Sequence, residues 1–212
     1  MAMPVALPTD TVRTGKVVDL TPLVRGDLPA LNEIAFANAD EYRLTSTPTN
    51  EAESEAYFAP VLAARAAGTA HPVAVRDKSG VVLGTSRLSQ YSLEHSRCEL
   101  GFSWYHPRVF RTAVNTETKL LLLVFAFESL LVNRVQLQTD TRNLRSQRAI
   151  TALGATFEGV LRRHMVVKGG YVRDTMIYAI TDVTWPTVKA GLLARLADKL
   201  AAGGGATRSR AT

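Results

Sequence analysis

Between Arg97 and Tyr105 the chain alternates with a period of two. Cys98, Leu100, Phe102 and Trp104 fall on one side of an extended strand, and Arg97, Glu99, Gly101 and Ser103 on the other. His106-Pro107 ends it, because proline cannot extend a ladder. The pattern then changes to a segment apolar on nearly every side, Leu120-Leu-Leu-Leu-Val-Phe-Ala-Phe127, which predicts a deeply buried helix over Thr116–Leu131. A strand over Arg134–Thr139 follows, then a helix over Asn143–Leu153 with Gly154 in the C-cap role.

The flanks supply the remaining elements. Val17–Pro22 reads as a short strand, and Leu28, Leu31, Ile34 and Ala35 recur at helical spacing within 26–38. A polar loop over 43–50 leads to a helix over 51–67, whose first turns carry Glu51, Glu53 and Glu55, a bias suited to the helix dipole. Strands over 72–76 and 81–90 are joined by the turn Asp77-Lys-Ser-Gly80. Residues 156–167 and 171–180 form a second hairpin about Lys168-Gly-Gly170, and a last helix starts near Trp185-Pro186 and repeats Leu192, Leu193, Leu196 and Leu200. The expectation is one α/β domain over residues 16–201, with residues 1–15 a flexible leader and 202–212 a disordered basic tail.

Composition narrows the class. A chain of 212 residues suits one well-buried core. No apolar run approaches a membrane span, and no basic leader precedes the small apolar N-terminus, so the cytoplasm is the default compartment. A single cysteine, Cys98, excludes an internal disulfide framework and a cysteine-based zinc site, and no metal is expected. The net charge of +6 suits a polyanionic ligand, but its scatter and the absence of a helix-turn-helix, zinc spacing or aromatic RNA-binding motif argue against specific nucleic-acid binding.

The chemistry concentrates in Arg97–Ala155. A strand feeds a short turn, and the turn feeds a helix start, an arrangement in which free backbone amides and the helix dipole hold a phosphate-bearing cofactor. The order of elements, with Asn143-Leu-Arg-Ser-Gln-Arg-Ala-Ile-Thr-Ala-Leu-Gly-Ala155, Glu158-Gly-Val-Leu-Arg162 and Arg173-Asp-Thr-Met-Ile-Tyr178, resembles the GNAT superfamily of acyl-CoA-dependent N-acyltransferases. Its closer likeness is to the branch containing the ribosomal-protein N-terminal acetyltransferases, over about Val17 to Ile180.

The resemblance implies a mixed, mostly antiparallel central sheet flanked by helices and splayed between Arg97–Tyr105 and Arg134–Thr139. The pantetheine arm of acetyl-CoA would lie in the gap, against the backbone of Phe102, Ser103 and Trp104. The pyrophosphate would sit on Arg108, Phe110, Arg111, Thr112, Ala113, Val114 and Asn115. The family's turn follows Gln/Arg-x-x-Gly-x-Gly/Ala; here it reads Arg108-Val-Phe-Arg-Thr-Ala113, with Arg111 in place of the central glycine.

Acyl transfer to an amine needs a neutral amine, oxyanion stabilisation and a proton for the thiolate. Glu99 is the expected proton acceptor. Ser146, carried over from the family's Asn-x-x-Ser motif, would serve the thiolate, with Asn143 capping its helix and touching the pantetheine arm. Beside these stand plainer readings: a strand glutamate solvated or salt-bridged to Arg97 for Glu99, and a packing or helix-start residue for Ser146. Glu117 reads as a helix-start carboxylate and Cys98 as core. The expected function is acetyl transfer from acetyl-CoA to a small-molecule amine or a peptide N-terminus, by direct transfer in a ternary complex. The alternative is a non-catalytic acyl-CoA-binding or partner-binding module. A homodimer is left open.

Overall fold

In the computed structural model, residues 7–8 and 10–205 are described. An eight-stranded sheet runs β1-β2-β3-β4-β5-β6-β8-β7. Its strands are β1 (Arg13–Thr14), β2 (Val18–Pro22), β3 (His71–Asp77), β4 (Val82–Ser92), β5 (Arg97–Tyr105), β6 (Arg134–Asp140), β7 (Thr156–Val166) and β8 (Val172–Thr181). The helices are α1 (Leu28–Ala37), α2 (Glu51–Ala66), α3 (Ala113–Val124), α4 (Leu144–Thr151) and α5 (Trp185–Gly205). All neighbouring strands are antiparallel except β5 and β6, which are parallel.

Two buried clusters place the sheet between helical layers. One joins Val73, Val75, Cys98 and Leu100 of the strands to Leu122 and Leu123 of α3 and Leu192 and Leu196 of α5. The other joins Ala74, Val82 and Trp104 to Leu31 and Ile34 of α1 and Phe58 and Val61 of α2. Trp104 therefore does not share a face with Cys98 and Leu100, as strict alternation predicts. The reason is a bulge: Thr85 opposes Trp104 and Arg87 opposes Gly101, so β5 spends one residue more than β4 over this stretch. Phe102 takes the extra step with φ +53°, and the phase of every later side chain reverses. Ser103 turns to the α3 side, and Phe102 is left 36% exposed.

Three boundaries differ from the sequence reading. Arg13 and Thr14, read as part of a flexible leader, form β1 against β2, and the Arg13 guanidinium stacks 3.4 Å over the buried Phe125 ring. The buried helix starts at Ala113, three residues ahead of Thr116, because the Thr112 hydroxyl accepts the Val114 amide and caps it. Its far end loosens into a π turn at Phe125–Ser129. Of the tail, residues 202–205 belong to α5, and 206–212 lie outside the described residues.

Candidate active site

β5 and β6 are paired only at Arg97–Arg134, Cys98–Val135 and Glu99–Gln136. Beyond these, β6 continues to pair with β8 as far as Asp140, while β5 runs on to Tyr105 paired only with β4. The sheet therefore opens into a wedge whose closed end is Glu99. At the open end, the Tyr42 hydroxyl, from the turn after α1, donates to the Tyr105 carbonyl at 2.6 Å and holds β5 toward the α1–α2 layer.

Directly after β5, the segment from His106 builds a short turn. The His106 Nδ1 accepts the Arg108 amide at 3.1 Å, and the Phe110 amide donates to the Pro107 carbonyl at 3.0 Å. Arg111 follows with φ +66°, the left-handed conformation that glycine adopts freely. An arginine thus stands where the family has glycine yet keeps glycine's backbone path, and its side chain is exposed. The amides of Ala113 and Asn115 open α3, where a helix offers them no intrahelical acceptor. The parted sheet and the amides of Ala113 and Asn115 beside the Thr112 cap fit a pantetheine arm and a pyrophosphate.

α4 supplies the opposite wall. Asn143 is its N-cap, accepting the Ser146 amide at 3.0 Å, and Ser146 itself is half-buried. Arg145 of the same turn pairs with Glu41 at 2.7 Å and lies 4.7 Å over the Phe110 ring, tying α4 to the α1–α2 layer and to the turn before α3.

At the closed end Glu99 is only 2% exposed. Gln138 Nε2 donates to both of its carboxylate oxygens at 3.0 Å. Burial raises its pKa above the ordinary carboxylate range, opposed by Gln138 and by the nearby Arg87, Arg173 and His164. Arg97, the pairing partner expected from the sequence, forms no ion pair with it among the described residues. His164 Nδ1 and Arg173 Nε both meet the Thr175 hydroxyl, at 3.1 and 2.9 Å. Arg162 instead pairs with Asp174 at 2.8 Å, so the hairpin cations divide between an ion pair and the wedge.

Several residues sequence reasoning left idle have defined roles. Glu117 is buried and accepts the amides of Lys16, Val17 and Val18 at 2.7, 2.7 and 2.9 Å. Cys98 is core, its thiol pushed up to about 12 by burial. The acidic residues ahead of the sheet are committed to partners: Glu51 to Asn32, Glu53 to Thr49 and Lys168, Glu55 to Arg25, Glu41 to Arg145. Lys119 was missed because it lies in an apolar helix. Its ammonium is buried and donates to the Ser103 hydroxyl at 2.5 Å.

The match to known proteins agrees with this geometry. A family model for the acetyltransferase (GNAT) domain matches residues 18–156. The chain belongs to the GNAT family and is an acetyl-CoA-dependent acyltransferase. A GCN5-related N-acetyltransferase from Brucella melitensis is similar at 28% identity and TM-score 0.79, over 92% of this chain and 89% of that one. A chain from T. thermophilus assigned as an acetyltransferase is 34% identical, with TM-score 0.77 over 87% and 96%. Mycobacterium smegmatis RimJ in complex with CoA-disulfide shares the fold at 19% identity and TM-score 0.77, over 92% and 97%. Curated protein sequences contain no match. No helix among the described residues is long and apolar enough to cross a membrane.

Proposed function

We propose that the protein transfers an acetyl group to a primary amine directly, with acetyl-CoA and acceptor bound together. The observation that carries this reading is the parting of β5 from β6 immediately after a buried carboxylate. Two sides of one opening then serve two substrates, and no acyl-enzyme nucleophile is needed, since Cys98 is buried in the core with its thiol held protonated.

Acetyl-CoA supplies the activated acyl thioester. The residues that would hold it are the edge of β5 from Phe102 to Trp104, the turn from Arg108 to Asn115, and Asn143. Glu99 accepts the proton of the incoming amine: burial raises its pKa and makes it a better base than a surface carboxylate. The bulge takes Phe102 and Ser103 out of register with β4, so their amides can face developing negative charge. Ser146, whose hydroxyl has no hydrogen bond among the described residues and which is half-buried on α4, offers a hydroxyl proton to the thiolate.

Release of free CoA thiol across a panel of amines and peptide N-termini tests the activity, and a rise in melting temperature at millimolar CoA tests cofactor binding. Ser146→Ala should lower turnover more than it lowers CoA affinity. Equal losses in both would make the serine a packing residue.

A further inference from the structure

At the closed end of the wedge two guanidinium groups make no close ion pair among the described residues, although each feels a nearby carboxylate. Elsewhere arginines find carboxylates: Arg76 meets Asp27, Arg134 meets Glu158 and Arg145 meets Glu41. Arg87 of β4 forms no ion pair or hydrogen bond among the described residues. It lies 3.4 Å over the Phe102 ring and 5.5 Å from that of Tyr57, and its Nε is buried without a partner. Among the described residues Arg173 hydrogen-bonds only through Nε, to Thr175, and the buried Asp140 acts on it at longer range. Both guanidiniums act electrostatically on Glu99, yet Gln138, a neutral amide, makes the hydrogen bonds to that carboxylate.

The acceptor side is equally particular. Because Gln138 Nε2 spans both oxygens of Glu99, the orientation of the amide is fixed, and Gln138 Oε1 is buried with no donor among the described residues. The site therefore pairs hydrogen-bond acceptors suited to an amine with a cation suited to an anion. A partly desolvated guanidinium without an anion is costly, and its planar edge of N–H donors matches a carboxylate or phosphate. Stacking on Phe102 keeps that plane fixed, and Phe102 is held beside it by the bulge at φ +53°.

We propose that the acceptor carries an acidic group close to its amine, as amino acids and aminoalkyl phosphates do, and that Arg87, seconded by Arg173, binds that group. This rests on the amine-acetylation reading above and names its substrate class.

Matched pairs test it: amino acids against their carboxamides, phosphoethanolamine against ethanolamine, and peptides beginning with Asp against peptides beginning with Ser. For the best pair, kcat/KM should favour the acidic member at least about tenfold, the scale of a hydrogen bond to a charged group. In Arg87→Met, which keeps an apolar stem on Phe102, that ratio should fall toward one. If this variant does not fold, Arg87→Lys keeps the charge, loses the fork and should lower the ratio severalfold. A preference confined to the Asp peptides supports the recognition and locates the acid on a peptide's first residue. Neutral acceptors used as well as acidic ones, or an undiminished preference in the Arg87 variants, overturn the proposal.

Calorimetry with CoA-saturated protein separates this from failure of the transfer reading. N-acetyl amino acids should bind at least about tenfold tighter than their amides. Acid-selective binding without thiol release would sink amine acetylation and leave the anion site standing. Binding without selectivity, or no binding of any acid at millimolar concentration, would sink the anion site.

Discussion

The ammonium of Lys119 sits 2.5 Å from the Ser103 hydroxyl and 3.4 Å from that of Ser86, beneath the β5 bulge, with no carboxylate beside it among the described residues. Burial lowers its pKa from 10.5 to about 7. The nearby Tyr105 phenol, itself pushed upward by burial, offers no compensating charge. The unfolded chain then holds more protons than the folded one between about pH 7 and 10.5, so this group makes stability rise with pH across that window. Below pH 7 both states are protonated, and the burial penalty is present in full.

Lys119→Met should therefore stabilise the protein at pH 6 by about 1–3 kcal/mol, as apolar replacement of buried charge commonly does. The gain should shrink as pH rises toward 10. Urea unfolding of both proteins at pH 6, 8 and 10 measures this. A gain that does not vary with pH would show that Lys119 binds its proton equally in the folded and unfolded chains and stays charged in the fold.

Glu99 makes a kinetic prediction. As the proton acceptor it must be ionised, so kcat/KM should rise with pH through a limb lying above the usual carboxylate range, because burial raises the group. Glu99→Gln should lower kcat about a hundredfold and abolish that limb. A full pH–rate profile of both enzymes decides it, and persistence of the limb in the variant would assign the titration elsewhere.

The elements were legible because periodicity marks them: the two apolar helices, the hairpins at Asp77–Gly80 and Lys168–Gly170, and the Asn143 cap all follow from local chemistry. The bulge in β5 was not. Nothing in Gly101-Phe-Ser-Trp104 marks Phe102 as the residue with positive φ, since the register with β4 imposes it, and so Trp104 and Ser103 were put on the wrong faces. The site divides the same way. Glu99, Asn143 and Ser146 stand in strand or helix contexts that can be read locally. Gln138, Arg87 and Lys119 matter only because β6, β4 and α3 bring them to the wedge and the bulge. That is long-range information, which no spacing within one element carries.

Glu117 and Gly15 form a lock between α3 and the start of the sheet. A Cβ on Gly15 would lie 2.5 Å from the Glu117 carboxylate, which takes three amides of the β1–β2 turn. Glu117→Gln should cost about 2–4 kcal/mol, because an amide offers these donors one acceptor oxygen and a competing NH2. Gly15→Ala should cost about 1–3 kcal/mol, the scale of overpacking. Gly15→Ala should cost much less in a Glu117→Ala background, since the clash is with that carboxylate. Additive losses in the double-mutant cycle would mean the two residues act independently.

Arg111 sets strain against charge at the turn proposed to hold the pyrophosphate. A non-glycine residue at φ +66° costs about 1–3 kcal/mol, whereas glycine takes that conformation freely. Arg111→Gly should therefore leave the melting temperature of the free protein unchanged or higher, after allowing about 0.5–1 kcal/mol for glycine's greater unfolded-state entropy. The same change removes an exposed guanidinium from beside the amides that open α3. KM for acetyl-CoA should rise severalfold, and most at low ionic strength, where an exposed cation attracts phosphate most strongly. Differential scanning fluorimetry with and without CoA, with KM measured at two salt concentrations, separates the terms. A tighter KM in Arg111→Gly would mean that the arginine hinders the turn and that backbone amides alone hold the diphosphate.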